Sequence, residues 1–382
     1  MNRNGLSIVS RDDAENINGG RECAAMKRKS TASWIARSLA WLIVINLGAA
    51  SAFSQALDVS IVDRASHLDA LQALPGSTST LLPNGQSLFV GGEFAGEARA
   101  DISLTTSNEP SAKATSALSL HIARTHHTAT VLPDGTVLVF GGTDGSGHVF
   151  ADAEIIDILA ETVSTFSING LVARSRHTAT LLTDGRVLFA GGVDEHGAPI
   201  ASAQLWNPKT NVVDAWNPQM LSPRFDHTTA LLGNGEGFVA GGRNENPAAL
   251  LDELYNPITN VFERSDLLSD SKASEPASSS NPAAAIAQSI PGAEAIDVPI
   301  DTRIALRFSR VVNIADLNAV NVTLIGPSGL VSGKVVGAEG GLLAFLTPTV
   351  ELAPATTYTA FVQGVKDSTG AEVPSSKLAG GG

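Results

Sequence analysis

Histidines that recur at one position of a repeated pattern are the residues best suited to chemistry in this sequence. Each is followed by Thr and stands three residues after an Arg: His127, His177 and His227. Histidine is a common metal ligand, so three copies brought to one axis would form a metal site. Their 50-residue spacing is that of a repeat and not of a local ligand motif such as His-x-x-x-His. We therefore favour structural hydrogen bonds for these histidines, and metal ligation is the minor hypothesis. The same scaffold role is expected for the preceding arginines: Arg124, Arg174 and Arg224.

A second group of polar residues does not repeat. These residues follow four Gly-Gly pairs, in segments predicted to be loops, and loops held by a rigid scaffold often bind ligands. They are the candidate ligand-binding residues: Arg99, Asp144, His148, Asp194, His196 and Arg243, with Glu195 and Asn244 beside them. For any one of them, a solvated loop side chain is the alternative interpretation.

Known catalytic motifs are absent from the sequence. It contains no Gly-x-Ser-x-Gly elbow, no Walker loop and no His-Glu-x-x-His. The Gly-rich stretch 142–147 follows a predicted hairpin and does not open a helix, so it is not expected to cradle a phosphate. The sequence therefore predicts no catalytic residue and no cofactor.

The elements that must position these residues come from the repeat itself. The Gly-Gly pairs recur every 50 residues, from Gly91 to Gly242. In one unit, 177–182 and 186–190 are rich in strand-forming residues, and Asp184-Gly185 between them is typical of a tight hairpin turn. Third and fourth strands are predicted around 203–206 and 212–216, so each unit is a four-stranded meander. The first unit, 77–92, lacks the Arg and the His and is a degenerate terminal copy.

Over residues 74–266, three recurring motifs together resemble kelch repeats, particularly the central region of galactose-oxidase-like secreted proteins. The motifs are Arg-x-x-His-Thr, Gly-Gly and Trp/Tyr-Asn-Pro-x-Thr-Asn. The resemblance implies an all-β fold with a kelch-type β-propeller, of which four blades are detectable at 57–266. Kelch propellers usually have six or seven blades. The copper site of that family uses two Tyr, one cross-linked to a Cys, and two His. The only Cys, Cys23, precedes the predicted mature chain, and Tyr255 and Tyr358 fall in a repeat slot and in a second domain, so this chemistry is not carried over.

A second β domain is predicted at 282–382, after a flexible Ser-, Ala- and Pro-rich linker at 267–281. Apolar residues alternate along 304–308, and Tyr358 stands where a tyrosine corner is expected. The domain resembles Ig-like domains of bacterial surface-layer and large secreted proteins. Residues 371–378 show little alternation, so we expect its last strand to be missing and the chain to be a fragment of a longer surface protein.

The N-terminal region predicts export. Residues 1–25 are unpatterned, and 26–56 combine basic residues, the apolar stretch 39–50 and small residues typical of signal-peptide cleavage. An uncleaved anchor is the alternative. The sequence therefore predicts an extracellular or cell-surface protein, with the periplasm also possible, and no membrane span in the mature chain.

Charge and architecture together predict a binding function. The net charge of −13 argues against nucleic acid as a partner. We expect a non-catalytic binding or adhesion module whose ligand is a glycan or a protein, with the Ig-like domain as a spacer. One alternative is a sugar-active or metal-dependent propeller enzyme that uses the three repeated histidines. The other is a purely structural fragment of a larger surface protein.

Overall fold

The computed structural model describes residues 74–105, 114–245, 250–265, 283–374 and 376–381. The predicted N-terminal extension, signal peptide and linker lie outside these ranges. The described residues form strands, turns and two short 3-10 turns at Ile314–Asp316 and Glu339–Gly341. The predicted all-β fold class is confirmed. No helix within these ranges has the length and hydropathy of a membrane-spanning segment.

Four antiparallel four-stranded sheets, called repeat sheets 1 to 4, lie between residues 78 and 264. Sheet 1 contains β1 (Thr78–Leu81), β2 (Ser87–Val90), β5 (Asp101–Thr105) and β6 (Ala114–Ser119), with a small hairpin of β3 (Glu93–Phe94) and β4 (Glu97–Ala98) between β2 and β5. Sheet 2 contains β7 (Thr128–Val131), β8 (Val137–Phe140), β9 (Ala153–Asp157) and β10 (Thr162–Phe166). Sheet 3 contains β11 (Thr178–Leu181), β12 (Val187–Ala190), β13 (Ala203–Asn207) and β14 (Val212–Val213). Sheet 4 contains β15 (Thr228–Leu231), β16 (Gly237–Ala240), β17 (Glu253–Asn256) and β18 (Val261–Arg264).

The first two strands of each repeat sheet form the hairpin that the sequence predicts. In sheet 3, Thr178 pairs with Ala190, and the Asp184 carboxylate accepts a hydrogen bond from the Arg186 backbone N–H at 3.0 Å. Gly185 has φ +85°, a left-handed conformation in which a side chain would be strained. The Asp-Gly pair therefore fixes the turn, and the turn fixes the register of the strands.

Repeat sheets pack face to face in chain order through their first strands, β1 on β7, β7 on β11 and β11 on β15. Between sheets 2 and 3, the rings of Phe140 and Phe189 lie 4.9 Å apart and both are fully buried. Leu188 of sheet 3 is fully buried on the side that faces Gly237 of sheet 4. Among the described strands, no comparable contact joins β15 back to β1.

The C-terminal region is a sandwich of two four-stranded sheets. Sandwich sheet A contains β19 (Ile286–Ile290), β20 (Ile304–Phe308), β24 (Leu343–Pro348) and β23 (Gly333–Ala338), in that order. Sandwich sheet B contains β22 (Gly329–Val331), β21 (Val322–Gly326), β25 (Thr357–Val362) and β26 (Ser376–Gly381). Leu306 and Phe308 from sheet A and Leu324 and Val362 from sheet B meet in a common core. The Tyr358 hydroxyl accepts a hydrogen bond from the Ala353 backbone N–H at 2.8 Å, which is the corner that the sequence predicts.

The prediction that the last sandwich strand is missing is wrong. β26 pairs with β25 along its length, from Ser376 opposite Val362 to Gly381 opposite Thr357. An edge strand can be held by backbone hydrogen bonds to a single neighbour, so it needs no alternation of apolar side chains. Lack of alternation in 371–378 was therefore a poor guide to whether a strand forms there.

The sandwich is packed against the repeat sheets, whereas the sequence predicts a spacer. The inner strands of sheet A, β20 and β24, bury both of their faces. Leu306 points into the sandwich core, whereas Ala305, Leu343 and Phe345 join the core that sheets 2 to 4 share. The alternating residues of 304–308 therefore face two cores.

Candidate functional site

One end of the repeat sheets is covered by the sandwich. The turns between the first and second strands of sheets 2 and 4 contact it through hydrogen bonds, from the Lys334 ammonium to the Asp134 carbonyl and from the Arg307 guanidinium to the Gly233 carbonyl. In sheet 3, the Glu339 carboxylate accepts a hydrogen bond from the Leu181 backbone N–H at 2.8 Å. The first strands begin at their opposite end, where the residues two positions before them are partly exposed.

At that open end, four residues form a continuous backbone ladder from sheet to sheet. His126 donates its backbone N–H to the Gly76 carbonyl at 2.7 Å, Arg176 donates to His126 at 2.9 Å, and Asp226 donates to Arg176 at 3.0 Å. All four lie two residues before a first strand and have φ between +51° and +67°. We call these residues the inner row: Gly76, His126, Arg176 and Asp226.

The side chains of the inner row differ, although their backbone does not. The Arg176 guanidinium contacts the Asp226 carboxylate at 2.8 Å, and about a third of each side chain is exposed (34% and 29%). The guanidinium also lies over the Phe225 ring, 5.9 Å from its centre. Burial first, and the nearby Arg176 charge second, lower the pKa of His126 below its ordinary value. The inner row therefore presents a neutral imidazole beside an ion pair.

Gly76 leaves space for the His126 ring. A Cβ at position 76 would lie 1.9 Å from the Thr125 hydroxyl and 3.1 Å from the His126 Cε1 atom. Only glycine fits there, and its φ of +67° is one that side chains rarely adopt. The row therefore ends in a side-chain-free position next to the β3–β4 hairpin, because the Glu93 backbone N–H donates to the Pro75 carbonyl at 2.8 Å.

The repeated arginines belong to the interior of their own sheets. Arg124 donates to the carbonyls of Gly141 and Asp152 at 2.9 and 3.1 Å and to the Glu154 carboxylate at 2.9 Å. Arg174 and Arg224 make the equivalent bonds, and all three side chains are fully buried. Each arginine ties the first Gly of its Gly-Gly pair to the third strand.

The repeated histidines join successive sheets. The imidazole Nε2 of each one lies 3.0–3.2 Å from a Thr hydroxyl of the preceding sheet, in the pairs His127–Thr78, His177–Thr128 and His227–Thr178. Burial lowers the pKa of His127 and of His227 to about 3, and that of His177 well below its ordinary value. In the part of the chain that the structure describes, no three His, Cys, Asp or Glu residues form a group that could hold a metal. The structure does not gather these histidines into such a group.

The two aspartates among the loop candidates close their own loops. Asp144 accepts hydrogen bonds from the backbone N–H groups of Ser146 and His148, and Asp194 accepts from those of His196 and Ala198. Asp367 of the sandwich makes the same pattern with the residues two and four positions further on. A bonding pattern that recurs in an unrelated domain is explained by turn geometry.

The remaining loop candidates also make contacts within their own repeats. Arg99 forms an exposed ion pair with Asp101 at 2.9 Å. The His148 ring packs edge-on against Phe150, and His196 lies 3.9 Å from the Asp194 carboxylate. Arg243 pairs with Phe225 through the backbone. The structure does not gather the six candidates into one cluster.

The inner row was missed because it lies inside the repeated motif. In Arg-x-x-His, the repeated Arg and His attract attention. Both residues between them change, and the one immediately before the His is polar in every unit: His126, Arg176 and Asp226. A variable polar residue at a fixed backbone position is the sequence feature that could have identified the row.

Comparison with known proteins characterises the C-terminal region. Residues 280–378 match the family model of a bacterial Ig-like domain. This part of the chain is therefore similar to a bacterial Ig-like domain. No curated protein sequence matches the chain. Among solved structures, a fungal alcohol oxidase in complex with copper matches at 11% identity and a TM-score of 0.36, over 80% of this chain and 85% of that one.

Proposed function

We propose that the chain is a non-catalytic binding module of an exported, cell-surface bacterial protein, and that its ligand is held at the inner row. In this proposal the repeat sheets are kelch-type blades. The Ig-like domain closes one end of them and leaves the other end for recognition. Residues 26–56 would direct export as a signal peptide.

The observation that carries the proposal is the contrast between backbone and side chains in the inner row. The backbone ladder is the same at every step, which is the property of a scaffold. The side chains of His126, Arg176 and Asp226 are different, partly exposed and polar, which is the property of a binding surface. The rigid sheets would fix these groups before a ligand arrives, and this reduces the entropy lost on binding.

The surface location is supported by two features. The Ig-like domain belongs to a family described as bacterial, and its family model covers 280–378. The mature chain would be strongly acidic, since the net charge of the whole is −13 and the N-terminal segment is basic. Both features suit a module exposed outside the cytoplasm.

The test compares two double variants of the full chain. Arg176→Ala with Asp226→Ala removes the ion pair of the inner row, and Lys209→Ala with Asp301→Ala removes an exposed ion pair of similar length, 2.6 Å, elsewhere on the surface. The wild-type and variant proteins are applied to arrays of glycans and of extracellular proteins. We expect the first variant to lose the wild-type ligands and the second to keep them. Binding that survives in the first variant would refute the proposed site.

A further inference from the structure

We infer that the inner row binds adjacent hydroxyl groups of an uncharged saccharide. This inference rests on the proposed function and adds the chemical class of the ligand. It is argued from the hydrogen-bonding groups that the row leaves available, from the charge around them and from the aromatic rings beside them.

The row offers donors and an acceptor side by side. Arg176 uses one Nη atom for Asp226, and its remaining guanidinium N–H groups make no hydrogen bond to any residue that the structure describes. Asp226 uses one carboxylate oxygen, and its Oδ1 has no such bond within the described ranges. The bonded Arg176 nitrogen and Asp226 oxygen are 2.8 Å apart, so the available N–H groups of Arg176 and the available Oδ1 of Asp226 lie close to each other. A hydroxyl group both donates and accepts, so two adjacent hydroxyls satisfy both partners.

Charge selects against ionised ligands. A carboxylate or phosphate at the remaining Arg176 donors would lie next to the Asp226 carboxylate and be repelled by it, and Glu93 lies close enough to act on His126. An ammonium group could accept nothing from the guanidinium donors. His126 is neutral, because burial and Arg176 lower its pKa, so it adds no positive charge. A neutral ligand keeps the ion pair intact and bonds to its outer atoms.

Aromatic rings lie beneath the Arg176 guanidinium and on the hairpin at the Gly76 end of the row. Phe225 is beneath the Arg176 guanidinium and holds its plane in place. Phe94, on the β3–β4 hairpin next to Gly76, has 63% of its surface exposed. A sugar ring has a C–H face that packs on an aromatic ring, whereas an extended charged chain has no such requirement. The hairpin thus provides an apolar surface at the Gly76 end of the row.

The experiment measures binding of the full chain to an array of neutral oligosaccharides and their uronic-acid counterparts, with homogalacturonan in methyl-esterified and saponified forms as matched polymers. We expect binding to neutral members only. The variants Asp226→Asn and Arg176→Gln each remove charged hydrogen bonds and should weaken binding roughly 10- to 100-fold. Lys209→Gln, on an exposed ion pair elsewhere, should change affinity less than about 2-fold.

The outcomes separate this inference from the proposed function. Tighter binding of acidic than of neutral members by the wild-type chain would overturn the inference. Binding only to a protein, lost in the Arg176→Ala, Asp226→Ala variant, would overturn it and leave the proposed function standing. A saccharide ligand unaffected by any inner-row variant would refute the site itself. No binding to any neutral saccharide would also overturn the inference.

Discussion

The repeated arginines differ in one partner, and this difference leads to a quantitative prediction. In sheet 2, Glu154 receives the Arg124 guanidinium at 2.9 Å and the backbone N–H groups of His121 at 2.7 Å and Ile122 at 3.2 Å. Both charged side chains are fully buried. In Glu154→Gln, the new NH2 group must face one of these N–H donors in either orientation. The buried Arg124 charge also loses its counterion.

Sheet 3 contains glutamine at the equivalent position. Gln204 accepts hydrogen bonds from Arg174 at 2.8 Å and from the Val172 N–H at 2.9 Å, and its NH2 group donates to the Gly170 carbonyl at 2.7 Å. The backbone thus offers a carbonyl where sheet 2 offers an N–H. Without a carboxylate partner, burial lowers the pKa of Arg174 to about 10. In Gln204→Glu, the gain of a counterion is opposed by a carboxylate oxygen placed against the Gly170 carbonyl.

The expected effects are therefore unequal. Removal of one member of a buried ion pair costs about 3–5 kcal/mol, so Glu154→Gln should lower the free energy of unfolding by that amount. For Gln204→Glu, a charged hydrogen bond worth about 1.5–3 kcal/mol is offset by an unsatisfied carbonyl that costs about 1–3 kcal/mol, and the net change should stay within about 2 kcal/mol.

Urea denaturation, followed by the fluorescence of the buried Trp206, measures both changes. Circular dichroism of each variant before denaturation is the control for folding. A cost below about 1 kcal/mol for Glu154→Gln would refute the ion-pair estimate. The reasoning also fails if Gln204→Glu stabilises the protein by more than about 2 kcal/mol. In that case charge pairing alone, and not the orientation of the local backbone, would decide stability.

Three further predictions follow from the same contacts. The pKa values of His127, His177 and His227 are lower in the folded chain, so the unfolded chain takes up protons first as the pH falls below about 6.5. The free energy of unfolding should therefore be about 4 kcal/mol lower at pH 5.5 than at pH 8. In His227→Gln, urea denaturation should show about two thirds of this loss. Equal losses in both proteins would contradict the assignment. Phe345→Ala removes a buried ring between the Ig-like domain and the repeat sheets and should cost about 3–5 kcal/mol in unfolding free energy, measured against the exposed Val350→Ala, which should be near neutral. Tyr358→Phe removes the hydroxyl that accepts the Ala353 N–H and should lower stability by about 1 kcal/mol in the same urea titration; a change below 0.3 kcal/mol would show that water replaces the bond.

Local structure was largely predictable from the sequence. Asp184-Gly185 has a turn preference strong enough to fix one hairpin, and the 50-residue repeat extends that assignment to the other sheets. The tyrosine corner at Tyr358 was also predicted, because its hydrogen bond closes over only five residues. The last strand, β26, was missed because its pairing with β25 depends on a neighbour that the local pattern does not reveal.

The candidate site was less predictable, because its residues come together through stacking. Arg176 and Asp226 are 50 positions apart, and nothing in the sequence says that they form an ion pair. Asp144 and Asp194 are candidate ligand-binding residues in the sequence, yet their carboxylates accept hydrogen bonds from the backbone of their own turns. A polar residue in a loop can bind a ligand or a backbone N–H, and only the coordinates distinguish the two.

The sequence by itself determined the period, the hairpins and the interior role of the repeated arginines, because turn preferences and strand patterns act over a few residues. The tertiary structure decided which end of the sheets is open. Sandwich sheet A buries Ala305 and Phe345 against the repeat sheets, and this contact covers one end of the first strands. It also decided that His126, Arg176 and Asp226 are neighbours, because long-range packing depends on the match of whole surfaces, which no short segment encodes.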